Sequence, residues 1–318
     1  VIRLVSRARL RQLGILGMNN RNVGYIGQYN ERRLYPIVDD KLKTKQAALD
    51  RGIPVPELYG TVSYQYEVGE MVRALAEHRS FVIKPAQGSG GRGILVIIGR
   101  NGDKYIKSSG VEIDVQEIRR HASNILAGLY SLGGRNDKAM IEALIDFDEY
   151  LKIYSYEGVP DVRVVVFRGV PVMAMVRCAT HASDGKANLH QGAVGVGIDI
   201  ATGKAVKAVQ HGQLVTEHPD TGAVFQNMEI PGWETILDLA ASCAEMTGLG
   251  YLGADIVLDR QRGPMMLELN ARPGLAIQVA NQEGLVHRLA IAGEIADSAP
   301  DRSARIALAR ERLAARKT

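Results

Sequence analysis

Thiols, aromatic rings and long apolar runs are all scarce in this 318-residue chain. Cys178 and Cys243 are its two cysteines, too few for a disulfide framework or a zinc cage, which points to a reducing, cytoplasmic setting. Phe, Trp and Tyr make up 5% of the residues, so stacking of nucleic-acid bases is not the main business. Lys and Arg number 39 against 35 Asp and Glu, a net charge of +4 that suits an anionic small substrate and is thin for a dedicated nucleic-acid binder. No run approaches the roughly 18 apolar residues of a membrane span. Even Val162 to Val176 is broken by Arg163, Arg168 and Pro171. The opening, Val1 to Arg11, mixes four arginines with isolated aliphatics and lacks the apolar core of a signal peptide.

What is present is globular composition, 46% hydrophobic, long enough for two compact lobes. Residues 1–38 are glycine-bearing and polar with little periodicity, and read as a short loop-rich segment. Helices are expected over Asp39 to Arg51, Glu67 to Glu77, Gln116 to Tyr130, Trp233 to Thr247 and Arg302 to Lys317. Strands are expected as three hairpins: Phe81 to Pro85 with Ile94 to Ile98, Asp161 to Phe167 with Val170 to Arg177, and Tyr251 to Leu258 with Pro264 to Leu269. Ala139 to Ile145 is a further strand, and Cys178 to Gly197 reads as a polar mobile loop. Strands in hairpins with helices between them mean α+β lobes with antiparallel sheets, not a regularly wound parallel sheet.

Gly88-Ser89-Gly90-Gly91-Arg92-Gly93 formally matches a dinucleotide fingerprint, but that motif needs a helix after the glycines, and a strand follows here. No Gly-Lys-Ser/Thr of a Walker loop is present, and Lys84 precedes the glycines, the reverse of the protein-kinase order. What remains is a loop between antiparallel strands whose backbone N–H groups can close over phosphates. A second constellation is sharper. Pairing Leu258 with Met265 places Asp255 opposite Glu268, and period-two alternation puts Asn270 on the same face. Two carboxylates and an amide on neighbouring strands are hard oxygen ligands of the kind Mg²⁺ accepts. Arg163 and Arg177, at the two ends of one hairpin, have the fork geometry to clamp a carboxylate or a transferring phosphoryl group.

These motifs, in this order from Asp40 to Leu285, resemble the ATP-grasp superfamily and most closely its bacterial α-L-glutamate ligases. The resemblance implies an ATP-grasp fold, two α+β lobes with antiparallel sheets gripping ATP between them. The ATP-grasp domain would run over residues 39–295 with a small lobe at roughly 55–140. Residues 1–38 would stand in place of the usual preceding α/β domain, and residues 296–318 would form a basic helical tail. Asp40-Lys41-Leu42 and Val82-Ile83-Lys84 are similar to segments whose lysines contact ATP phosphates. Gly88, Ser89, Gly90, Gly91 and Gly93 are similar to the phosphate-covering loop, and Glu142, Ala143 and Leu144 fall at the hinge whose backbone holds adenine. Asp161-Val162-Arg163 and Asn188-Leu189-His190 resemble the family's Asp-Ile-Arg and Asn-Leu-His, which makes Asp161 and Asn188 binding candidates and His190 a catalytic one. Asp255, Glu268 and Asn270 match its metal ligands, and Arg272 follows as a further catalytic candidate.

The implied reaction uses ATP and Mg²⁺, with Mn²⁺ as a substitute. A carboxylate is phosphorylated to an acyl-phosphate, which an amine attacks to form an amide. The expected partners are an amino acid, glutamate among them, and an amine on a small molecule or a peptide or protein terminus. No nucleic acid or membrane span is expected, and a homo-oligomer is left open. Two alternatives stay open: an ATP-grasp kinase that stops after phosphoryl transfer, and a nucleotide-binding protein without turnover.

Overall fold

The computed structural model describes residues 5–88, 91–131 and 133–315. Ser89 and Gly90 of the glycine loop lie outside the described residues. The chain divides into two units. The smaller comprises Asp39–Gln46 and Val55–Asp146, and the larger the described residues up to Val38, Ala47–Pro54 and those from Phe147 onward.

The smaller unit is built on an antiparallel sheet of β1 (Leu58–Val62), β2 (Phe81–Pro85), β3 (Leu95–Asn101), β4 (Lys104–Lys107), β5 (Glu112–Ile113) and β6 (Ala139–Glu142), in the order β1-β6-β2-β3-β4-β5. Period-two alternation splits β2 and β6 cleanly. Phe81, Ile83, Ala139 and Ile141 enter the core with helices Val68–Leu75 and Val115–Leu126, while Val82, Lys84, Met140 and Glu142 share the opposite face. Asp114 starts the second helix by accepting the Glu117 N–H at 2.9 Å, and Ile118, Ala122 and Ile125 then recur on one buried stripe. That helix ends at Leu126, short of the expected Tyr130, because Gly128 turns the chain at φ +78°. β6 likewise stops at Glu142 and not at Ile145.

The larger unit carries β7 (Asp161–Phe167), β8 (Val170–Cys178), β9 (Val194–Ile198), β10 (Ala205–Gln210), β11 (Gln213–Val215), β12 (Tyr251–Asp259) and β13 (Gly263–Asn270). Their order is β11-β10-β9-β8-β7-β12-β13, antiparallel throughout. β7, β8 and β12 are buried along nearly their whole length, which is why they read as continuous apolar runs. Helices Trp233–Thr247, Leu285–Ser298 and Arg302–Arg312 pack on this sheet. The last of these ends before the expected Lys317, at Arg312.

Two segments differ from the sequence expectation. Residues 194–197 of the anticipated loop belong to the buried strand β9, and the remainder is tied by short turns at His181–Ser183 and Leu189–Gln191. Thr180 anchors it, donating from Oγ1 to the Gly192 carbonyl at 3.0 Å. The N-terminal segment is helical in short pieces, with an α-helix at Arg7–Gln12 and a π-helical turn at Arg21–Ile26. It shows no periodicity because single residues, not a stripe, attach it. The Asn30 side chain donates to the Tyr251 and Ala271 carbonyls at 2.7 and 3.1 Å and accepts the Tyr251 N–H at 2.8 Å. Gln278 brackets Leu16 in the same way, accepting its N–H at 2.8 Å and donating to its carbonyl at 3.1 Å.

Candidate active site

In the smaller unit, Asp40 starts the helix Lys41–Leu49 by accepting the Leu42 and Lys43 N–H groups at 3.0 and 3.2 Å, and the Lys41 N–H hooks onto the Ala86 carbonyl at 2.9 Å. These contacts bring the Lys41 ammonium to the glycine loop, where it donates to the Gly88 carbonyl at 2.8 Å. The loop is held at its far end too. His121 Nε2 lies 3.0 Å from the Gly93 carbonyl, and Gly93, at φ +76°, sits so close to Tyr130 that a Cβ there would lie 2.5 Å from the ring. Burial lowers the His121 pKa, more than the Gly93 contact restores it.

Behind the loop lies a cluster that the sequence only half disclosed. Lys84 on β2 meets Glu142 on β6 at 2.6 Å, and Lys45, one helical turn beyond Lys41, meets the other carboxylate oxygen at 2.6 Å. Lys45 also donates to the Pro56 carbonyl. All three side chains are nearly inaccessible, at 6%, 9% and 3% exposure for Lys45, Lys84 and Glu142. Burial opposes ionisation of Glu142, but Lys84 and Lys45 outweigh it and hold the carboxyl below its ordinary range. Burial likewise pulls the Lys45 ammonium down, against the attraction of Glu142. Lys45 went unread because it lies on a polar helix face; its spacing of four from Lys41, the same helical face, was the available signal. At the expected hinge, the Ala143 N–H is already given to the Glu57 carbonyl at 2.9 Å, and Leu144 is half-buried.

In the larger unit, Arg163, Asp255 and Glu268 form one row across β7, β12 and β13, with Arg163 and Glu268 each in register with Asp255. Arg163 grips Asp255 through two bonds of 2.7 and 2.6 Å. Arg177 donates to Asp255 at 2.8 Å and to Asp161, its register partner, through Nε at 2.6 Å and again through Nη2. Burial pushes the Asp161 carboxyl up, to about 6, against the pull of Arg177. Burial also opposes the Asp255 charge, but two guanidinium groups outweigh it and keep that carboxyl low. Both arginines are largely buried, at 12% and 14% side-chain exposure, and from the two ends of one hairpin they meet on one acid.

Asn270 lies on the same face, its amide nitrogen 3.5 Å from Asp255 Oδ2. The row has the donor types Mg²⁺ takes, two carboxylates in register and an amide on adjacent strands, with both Asp255 oxygens held here by guanidinium groups. Among the described residues no three His, Cys, Asp or Glu side chains gather as a metal cage, so the cation would draw on the amide as well. Asn188 caps a short turn by accepting the His190 N–H at 3.0 Å, and the His190 side chain is exposed. Arg272 is exposed with its guanidinium 4.9 Å above the Tyr35 ring, a stacking contact.

Two antiparallel α+β units, one with a strand lysine leading into a glycine loop and the other with acids and an amide on paired strands, define an ATP-grasp fold. Residues 20–293 match the sugar-transfer associated ATP-grasp family, and the chain belongs to that family. The match does not single out the α-L-glutamate ligases. No curated protein matches the chain in sequence. Among solved structures it is similar to the ATP-grasp ligase PsnB complexed with minimal precursor, at 16% identity and TM-score 0.44, covering 88% of this chain and 63% of that one. It is similar to the D-cycloserine synthetase DcsG at 14% identity and TM-score 0.45, covering 88% and 72%. It is also similar to N5-carboxyaminoimidazole ribonucleotide synthetase from Thermotoga maritima, at 14% identity and TM-score 0.40, covering 77% and 45%. The chain thus spans about three fifths of the length of the PsnB structures it matches. Among the described residues no helix is long and apolar enough to cross a membrane.

Proposed function

We propose that the protein is an ATP- and Mg²⁺-dependent carboxylate–amine ligase that forms an amide through an acyl-phosphate. The observation that carries this reading is the buried strand lysine Lys84 at the root of the glycine loop, with the Lys41 ammonium donating to the Gly88 carbonyl of that loop. Lys84 and Lys41 would bind the phosphates, Gly88, Gly91 and Gly93 would cover them, and the backbone from Glu142 to Leu144 would hold the base. Asp255, Glu268 and Asn270 would hold Mg²⁺, whose charge would neutralise the phosphate oxygens. Arg163 and Arg177 would orient the substrate carboxylate, and His190 and Arg272 would serve at the acceptor end. Asp161 and Asn188 would keep Arg177 and the His190 turn in place.

In the reaction, a carboxylate oxygen takes the γ-phosphoryl group and ADP leaves. The amine nitrogen then bonds to the acyl carbon, phosphate departs with the former carboxylate oxygen, and the nitrogen loses its proton. No side-chain nucleophile is needed, in keeping with the burial of both thiols. The acid would be an amino acid, and the family's sugar-transfer description adds amino sugars to peptide termini as acceptors to test. Hydroxylamine offered with ATP, Mg²⁺ and a panel of amino acids should trap a hydroxamate and release ADP. Phosphorylation of an alcohol, with ADP release and no hydroxamate from any acid, would favour a kinase instead.

A further inference from the structure

We propose that Lys45 is a positioning residue that frees Lys84 for the nucleotide, by sharing the Glu142 carboxylate and leaving the buried cluster one positive charge in surplus. The inference rests on the nucleotide-binding role assigned to Lys84 above. A buried carboxylate beside one ammonium is a neutral pair, in which Glu142 could turn both oxygens on Lys84 and keep it from phosphates. Lys45 changes that balance. Its ammonium, 2.6 Å from Oε1, leaves Lys84 only Oε2, and an ammonium has three N–H donors to distribute.

Lys45 itself is poorly placed to meet a ligand. Its side chain is 6% exposed and its ammonium is also committed to the Pro56 carbonyl. Lys41, one turn earlier on the same helix, bonds the Gly88 carbonyl of the loop. A single helix therefore sets both the loop and the charge behind it. A surplus interior charge is costly unless a counter-charge arrives, and a bound polyphosphate would supply one.

A purely structural Lys45 and a charge-setting Lys45 predict opposite results when Glu142 is also changed. Lys45→Met leaves the cluster neutral, Lys45→Arg keeps its charge, and Lys45→Met with Glu142→Gln restores the surplus on Lys84 alone. Calorimetric titration with Mg²⁺ and AMPPNP should show affinity reduced on the order of tenfold in Lys45→Met. It should stay near wild type in Lys45→Arg and recover in the double variant. Wild-type affinity in Lys45→Met, or a double variant no tighter than the single, overturns the inference while leaving the ligase reading standing. Failure of the wild-type protein to bind AMPPNP would overturn both. If Lys45→Met does not fold, Lys45→Gln, whose amide can still donate to Pro56, gives the same reading. Its AMPPNP-induced thermal shift should be smaller than that of wild type, and an equal shift overturns the inference.

Discussion

Asp255 and Glu268 face each other across β12 and β13 because of one extra residue in β13. Near the turn Leu258 pairs with Pro264 and Ile256 with Met266; a bulge at Leu267 then shifts the register so that Asp255 meets Glu268. Simple counting from a Leu258–Met265 pair reaches the same partner from the wrong start. The bulge and the misplaced turn cancel.

The two acids should respond differently to removal of charge. Glu268→Gln keeps shape and volume, and the folded protein should show turnover cut roughly a hundredfold or more through loss of a metal-held orientation. Asp255→Asn should lose activity and stability together, by about 3 kcal/mol or more, because Arg163 and Arg177 would be left as buried cations short of a partner. Urea unfolding beside Mg²⁺-dependent kinetics checks both. An active Glu268→Gln enzyme with normal Mg²⁺ dependence contradicts the assignment.

The glycine loop offers a contrast between neighbours. Gly91 and Gly93 both have positive φ, but among the described residues a Cβ at Gly91 meets nothing within 4 Å while one at Gly93 strikes the Tyr130 ring. Gly91→Ala should cost about 1 kcal/mol for backbone strain, and Gly93→Ala more, with weaker nucleotide binding as the loop is pushed from its seat. Thermal melts with and without AMPPNP separate the two effects.

Acid should release part of the smaller unit's stability through Glu142. Its carboxyl titrates below the ordinary value when folded, so its contribution is complete above the unfolded pKa of about 4.3 and disappears as pH falls through the folded value. The stability difference between wild type and Glu142→Gln, measured by urea unfolding at stepped pH, should therefore be largest near neutrality and shrink below about pH 4. A difference that grows on acidification would mean that the Glu142 carboxyl titrates above, not below, its unfolded value.

Neither thiol should react in the folded protein. Burial pushes both up, Cys243 to about 12, and leaves no approach for a reagent. Iodoacetamide at pH 8 should label no cysteine until denaturant is added, as mass spectrometry would record.

The three hairpins and the antiparallel α+β class were legible because β2, β7, β8 and β12 are strongly apolar and their turns carry glycine or polar residues. Arg168 and Gly169, at φ 50° and 78°, show the turn signal at its plainest. Glu268 and Asn270 could be placed on one face because alternation along a strand fixes it, whereas Asp40 and Lys41 were legible only through the family resemblance. Lys45 was hidden because its burial depends on Glu142 and Pro56, distant in sequence. Strand β9, Val194–Ile198, was hidden because its two glycines break the apolar run. The convergence of Arg177 on Asp255 required the order of β8, β7 and β12 in the sheet, which no local pattern states.

The side-chain amides of Asn30 and Gln278 act as substitute peptide groups, each offering a donor and an acceptor to a strand or loop that the backbone does not serve. A boundary drawn at the Asp-Lys motif, natural to anyone trimming the gene for expression, would therefore cut through a folded body. The shortened chain would keep its motifs yet strip the Tyr251 N–H and carbonyl of the partner they have in Asn30. Poor yield of such a fragment would then report a severed seam, and would say nothing against the chemistry of the strands beneath it.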